Sequence, residues 1–323
     1  MLEALKALDF IRLNFSQDTL FILNIALAFI MFGVALEIKT EHFKELSKRP
    51  KSVLTGILSQ FILLPSLTFL ITIALHEYIT PSIALGMILV ASCPGGNISN
   101  FMSNMAKGNV ALSVSLTAFA TFTATVFTPF NFAFWGKLYI QFIQSQDANT
   151  LLRPLEISTF DVFQTVAIIL GIPLVLGMFI SYKYPKLTQK IIKPIKQLSV
   201  VIFAVIVLIA FKNNYQHFLD HIHYVFLLVL LHNLVALFSG FSVSTLFKVP
   251  RHDRRTITIE TGIQNSGLGL VLLFNPNIFP ADLPLGGMAT ITAWWGIWHI
   301  ISGLTIAWFW SNNQKLQSLI TAK

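Results

Sequence analysis

Long apolar runs alternate along this chain with short polar stretches rich in lysine. The first run covers 19–38 and ends in Lys39, Lys44, Lys48, Arg49 and Lys51; the second, 52–75, carries Gln60 and Pro65 inside it. Further runs follow at 81–106, 109–135, 162–182, 198–211, 224–247, 256–274 and 285–310. Most approach the ~20 residues that cross a bilayer, so the pattern predicts an all-α polytopic membrane protein with nine transmembrane helices. Residues 1–18, where Glu3, Lys6, Asp9 and Arg12 alternate with apolar positions, are too polar to span and read as an interfacial segment. Residues 312–323 form a polar tail.

Two runs are interrupted. The third contains Cys93-Pro94-Gly95-Gly96-Asn97-Ile98-Ser99-Asn100 and the eighth Glu260-Thr261-Gly262-Ile263-Gln264-Asn265-Ser266-Gly267. Lipid cannot satisfy free backbone N–H and C=O groups, so irregular backbone at membrane depth is tolerated only where protein buries it or a polar cavity adjoins it. The interrupted segments lie five spans apart and therefore run in opposite directions. Segments one to four then pair with six to nine as inverted repeats, and Gln60 in segment two finds its counterpart in His232-Asn233 of segment seven. Interrupted helices at matching places in two inverted halves point to the substrate and ion site of a secondary transporter.

Composition supports the membrane reading: 54% of residues are hydrophobic, only 11% are charged, and mean hydropathy is +0.71. The net charge of +8 does not call for nucleic acid, because the basic residues sit in the short connections. If the loops after spans one, three, five, seven and nine are cytoplasmic, they hold 17 of the 22 Lys and Arg, which places the N terminus outside and the C terminus in the cytoplasm. The single cysteine excludes an intramolecular disulfide and a cysteine metal cluster, and no cleaved signal peptide is evident.

Glu260 stands apart among the acidic residues, flanked by a polar break inside an apolar run. A carboxylate at membrane depth is costly unless it is paired, protonated or bound to a cation. Pairing with Arg254 or Arg255 is one solution. A sodium site is the other, since sodium suits carboxylate, amide, hydroxyl and backbone carbonyl oxygens, and Gln264, Asn265 and Ser266 stand nearby. Ser113 and Thr117, four residues apart, add two hydroxyls on one helical face. Cys93 with His299 as nucleophile and base lacks an orienting third group, so an enzyme is not expected.

The two breaks, the run Lys107-Gly108-Asn109-Val110-Ala111-Leu112-Ser113, and Trp298-His299-Ile300-Ile301-Ser302-Gly303 together resemble the bile acid:sodium symporter family. The resemblance implies an inverted-repeat core with two broken, crossing helices, made from 52–136 and 222–311, and a panel domain made from 19–38 and 161–212. It implies two sodium ions, one held by Ser99, Asn100, Ser113, Thr117 and Glu260. The other would use Gln60, Glu260, Gln264 and the backbone carbonyls of Thr261 and Ile263. Substrate, a bile acid or smaller carboxylate, would meet Asn97, Asn265, Ile98 and His299. Ile300 departs from the Asn that many relatives carry there. The family also implies sodium-coupled symport by alternating access, by a monomer in the lipid bilayer, here the bacterial inner membrane. A cation/proton antiporter of related architecture is the alternative.

Overall fold

The computed structural model describes residues 2–9, 17–146, 159–213, 215–275, 278–279 and 285–321. Arg12, Arg153 and Lys323, three basic residues in the charge count, lie outside them. Among the described residues all regular structure is helical, apart from one isolated antiparallel bridge between Gly95 and Gln264.

The chain opens with α1 (Leu2–Asp9) and α2 (Gln17–Ala35), followed by the short α3 (Thr40–Ser47). The second apolar run forms α4 (Pro50–Leu58) and α5 (Leu64–Ala74), joined through a π turn at Ser59–Leu63. Pro65 explains that turn. It has no N–H for the helical ladder, and a wider turn before it absorbs the missing bond. The same device recurs where α9 (Thr159–Val166) meets α10 (Ile172–Lys183) through a π turn at Ala167–Gly171, just ahead of Pro173.

Both sequence breaks are breaks in the structure. The third run divides into α6 (Pro81–Ser92) and α7 (Ile98–Met105), the eighth into α13 (Arg251–Gly262) and α14 (Ser266–Leu273). The long helices α8 (Val110–Gln146), α11 (Pro185–Asn213), α12 (Tyr215–Leu246) and α15 (Gly286–Thr321) complete the fold. All four differ from the hydropathy boundaries: α15 continues to Thr321, past the expected end at 310 and into the stretch read as a polar tail. The fourth run was expected to end at 135, but Tyr139, Ile140 and Ile143 keep a buried face going after the exposed Lys137. The sixth and seventh begin earlier than expected, at Pro185 and Tyr215. In α11 the exposed Lys186, Lys190 and Lys193 flank the buried Thr188, so a polar, amphipathic turn extends the apolar one.

By length and composition, Pro50–Ala74, Val110–Gln146 and Val225–Leu246 are sufficient to cross a membrane. The helices pack in two sets. In one, α2 lies against α10 and α11, and close approach depends on small residues: a Cβ on Gly177 would come within 2.5 Å of the Ala35 Cβ. The other set joins α6 to α8 and α15, α12 to α13 and α15, and α14 to α15. Its apolar core runs through Leu85, Ile88, Leu89, Leu272, Ile291 and the fully buried Trp295. The segment α1 docks on this second set, against α12 and α15. There Asp9 Oδ1 accepts a hydrogen bond from Thr80 Oγ1 at 2.9 Å.

Candidate ion-coupling and substrate site

The two breaks meet and satisfy each other. Gly96 N–H donates to the Ile263 carbonyl at 2.7 Å, and Asn265 N–H donates to the Pro94 carbonyl at 2.8 Å. Side chains from the neighbouring long helices reach the carbonyls that remain. Gln60 Nε2 donates to the Cys93 carbonyl at 3.1 Å, and Asn233 Nδ2 donates to the Gly262 carbonyl at 2.8 Å. Cys93 and Gly262 each end the first half of a broken helix, so one buried amide serves each break. An unpaired buried carbonyl costs about 1–3 kcal/mol, which is the reason these amides lie in otherwise apolar runs.

Glu260 projects from the last turn of α13 to the crossing and is 4% exposed. Its Oε2 accepts from Ser99 Oγ at 2.6 Å and from Ser113 Oγ at 3.3 Å, and its Oε1 accepts from Thr117 Oγ1 at 2.6 Å. Asn100 Oδ1 lies 3.2 Å from the same Thr117 hydroxyl. All five residues expected at the first sodium site therefore come together, from α7, α8 and α13. Gly95 leaves room for the carboxylate: a Cβ there would stand 2.6 Å from Glu260 Oε1. Neither arginine pairs with Glu260. Arg255 Nη1 donates to the Ala106 carbonyl at 2.7 Å, and Arg254 Nη2 to the Val249 carbonyl at 3.3 Å.

The residues expected at the second sodium site form a separate buried cluster. Gln60 and Gln264 exchange amide hydrogen bonds, at 2.7 Å and 3.2 Å, and Gln264 Nε2 also donates to the Thr261 carbonyl at 2.6 Å. The Ile263 carbonyl is the one that accepts from Gly96. The Glu260 carboxylate is engaged by the first cluster, so the two expected sites share a residue in sequence more than a centre in space.

The four expected substrate residues are dispersed. Asn97 lines a cavity of about 450 Å³ that also reaches Asn100, Thr117 and the end of α2. Ile98 is exposed, Asn265 Oδ1 caps α14 by accepting from Leu268 N–H at 3.0 Å, and His299 is buried in α15. None of these three lines the cavity. Cys93 Sγ is turned to the Leu89 carbonyl at 3.3 Å, within its own helix.

Sequence reasoning overlooked several groups. Ser103 Oγ accepts from Ser113 Oγ at 3.2 Å, and Ser59 Oγ from Thr261 Oγ1 at 2.9 Å, so both support the site from behind. His232 was noted only as a polar residue in segment seven. Its Nε2 lies 2.8 Å from Thr68 Oγ1, and its ring rests against Trp295.

Comparison with known proteins finds that residues 24–221 match the model described as the sodium bile acid symporter family. The uncharacterized sodium-dependent transporter YocS of Bacillus subtilis (strain 168) is 31% identical over 311 residues, which cover 95% of this chain and 89% of that protein. The P3 protein of Homo sapiens is 31% identical over 265 residues, covering 80% of this chain and 52% of that one. Sodium/bile acid cotransporter 4 of Homo sapiens is 30% identical over 249 residues, covering 77% and 54%. This chain thus spans about half the length of each of these two human relatives.

Proposed function

The chain belongs to the sodium bile acid symporter family, a family of integral membrane transporters and not of enzymes, and from that premise we propose that it uses inward sodium flow to drive uptake of an organic anion by alternating access. The observation that carries the proposal is the Glu260 carboxylate ringed by Ser99, Ser113 and Thr117 beside the crossing. A buried anion surrounded by neutral oxygens and no cationic side chain is suited to a small hard cation. Sodium one lies in that ring, with Asn100 completing it. Sodium two lies where rotation of the Gln60 and Gln264 amides turns their oxygens toward the Thr261 and Ile263 carbonyls.

Nine spans cross the inner membrane, with the N terminus outside. The set built on α2, α10 and α11 is the panel, and the set around the crossing is the core, its halves related as inverted repeats. The matching work of Gln60 and Asn233 supports that relation. Substrate enters between the sets, where the first turn of α7 offers Asn97 and a helix N-terminus to an anionic or polar group.

The deciding experiment is uptake of labelled organic acids into proteoliposomes with and without an inward sodium gradient. Gradient-dependent uptake is expected. Uptake indifferent to sodium, or proton release on adding sodium, refutes symport and favours the cation/proton antiporter.

A further inference from the structure

A second buried carboxylate lies at the base of the two helices that carry most of the Glu260 ring. Asp253, in the first turn of α13, is 1% exposed. Its Oδ2 accepts from Ser52 Oγ at 2.6 Å and its Oδ1 from Asn109 Nδ2 at 2.8 Å, while the half-exposed Arg49 reaches both oxygens through Nη1, at 3.3 and 3.4 Å. These donors come from the start of α4 and from the residue that precedes α8. A buried carboxylate is costly unless donors meet its lone pairs, and here three side chains meet them.

Asn109 is the link to the ring. Its Oδ1 caps α8 by accepting from Leu112 N–H at 3.1 Å, while its Nδ2 is held by Asp253. Its backbone is held as well: the N–H donates to Thr256 Oγ1 at 2.8 Å, and Thr256 Oγ1 donates to the Asn109 carbonyl at 3.1 Å. The corner before it fits tightly against this contact, since Lys107 adopts φ 57° and a Cβ on Gly108 would stand 2.8 Å from Thr256 Oγ1.

Asp253, Thr256 and Glu260 lie at i, i+3 and i+7 on one face of α13, and Asn109, Ser113 and Thr117 at i, i+4 and i+8 on one face of α8. Both helices run from this base toward the crossing, so their contacts form a ladder. Asp253 and Thr256 meet Asn109; farther along, Glu260 meets Ser113 at 3.3 Å and Thr117 at 2.6 Å. A slip of one residue shifts a helix by about 1.5 Å and turns its face by about 100°, enough to take both hydroxyls off the carboxylate. The ring cannot guard against that slip by itself. When a cation enters, the hydroxyls turn their lone pairs to it and give up their bonds to Glu260. The register then depends on contacts outside the ring. Ser52 ties in α4 too, whose continuation carries Gln60 of the second cluster.

We infer that Asp253 and Asn109 are positioning residues for sodium binding: they fix the register of α8 against α13, so that Ser113 and Thr117 still face Glu260 when the ion replaces their hydrogen bonds to it. The inference rests on the symporter reading and deepens its ion site.

The test is thermal unfolding of the purified full chain in detergent, titrated with sodium chloride while potassium chloride keeps the ionic strength constant. The shift against sodium concentration gives a Kd. Asn109→Ser is the lead variant, because serine still caps α8 but has no amide to offer Asp253, whose charge stays in place. It is expected to raise the sodium Kd about tenfold, the effect of misplacing roughly one oxygen of the ring. Thr256→Val should raise it likewise, and Thr256→Ser, which keeps the hydroxyl, should restore it. Asp253→Ala should raise it at least as much as Asn109→Ser. A residue that serves stability alone lowers the unfolding temperature equally in both salts and leaves the sodium Kd where it was. That outcome in Asn109→Ser overturns the inference, and so does an equal Kd in Thr256→Val and Thr256→Ser. If Asn109→Ser does not fold, the Thr256 pair decides. Absence of a sodium-specific shift in the wild type is a different failure, that of the symporter reading, and the inference falls with it.

Discussion

Replacing Glu260 by Gln keeps the volume of the side chain and an oxygen for the hydroxyls of Ser99, Ser113 and Thr117, but removes the only charge in their ring. A unit charge pair at ~4 Å in an effective dielectric near 20 is worth roughly 4 kcal/mol. Losing it raises the sodium Kd by about three powers of ten, at 1.4 kcal/mol for each. Sodium at one hundred times the wild-type Kd stabilises the folded protein by about 2.7 kcal/mol. The same concentration is then ~0.1 times the variant's Kd, and the stabilisation falls below ~0.1 kcal/mol.

The assay is thermal unfolding in sodium chloride against potassium chloride at equal ionic strength, so that screening is the same in both salts. Wild type should separate the two salts clearly, and Glu260→Gln should superimpose them. Equal unfolding temperatures for the two proteins in potassium establish that the variant is folded. Ser99→Ala, which removes one neutral oxygen and no charge, should give an intermediate separation. A sodium-specific shift of wild-type size in Glu260→Gln refutes the assignment of the carboxylate to the ion.

Gly95→Ala places a Cβ 2.6 Å from Glu260 Oε1, and should cut sodium-dependent uptake while leaving the protein folded; unchanged uptake means that the carboxylate moves freely. Asn233→Leu strands the buried Gly262 carbonyl, and should lower stability in potassium by about 1–3 kcal/mol, read from chemical denaturation. Asp9, in the interfacial segment, has its pKa pushed up to about 7 by burial, which outweighs the opposing hydrogen bonds from Thr80 and Ser82. The folded state then holds the proton more firmly than the unfolded one. Stability should be highest near pH 4, fall as pH rises toward 7, and level off above that. Asp9→Asn should flatten that slope in thermal unfolding across pH 4.5–8, and an unaltered slope removes Asp9 as its cause.

Both helix breaks were legible because Pro94, Gly95, Gly96 and Gly262 interrupt runs that are otherwise uniformly apolar. The four residues around Glu260 were expected as oxygen ligands only through the family resemblance, and the structure brings them together around the carboxylate. What those oxygens bond to was not legible. A buried amide such as Asn233 announces only that it has a partner somewhere, and its partner is a carbonyl 29 positions later, exposed by a break in another helix. Asn265 was expected at the substrate through the family resemblance, and the structure adds a role the sequence did not announce: it is the N-cap of α14, its Oδ1 accepting from Leu268 N–H. Lys39 was one of many basic residues in a charge count, and only the fold brings it to the cavity that Asn97 also lines. Helix ends were misjudged wherever hydropathy falls before the buried face does, as at Lys137 in α8.

The hydrogen bonds at the crossing also limit how such a molecule can move. Gly96 with Ile263 and Asn265 with Pro94 bind one broken helix to the other, and the Glu260 ring adds a third tie between α13 and the α7–α8 pair. Separating the two breaks would strand several buried polar groups together, each at a cost comparable to a lost buried hydrogen bond. The crossing is therefore the stiffest part of the α6–α8 and α12–α15 set. On the other side, α2 is locked to α10 where Gly177 meets Ala35, and to α11 where Gly33 meets Ser199. In the proposed alternating-access cycle, the least costly motion runs between these two sets. The cavity that Asn97, Asn100 and Thr117 line is lined also by Lys39, from the link after α2. A substrate bound in that cavity would, in the proposed cycle, join the state of the Glu260 ring to the relative position of the sets, which is the coupling that symport requires.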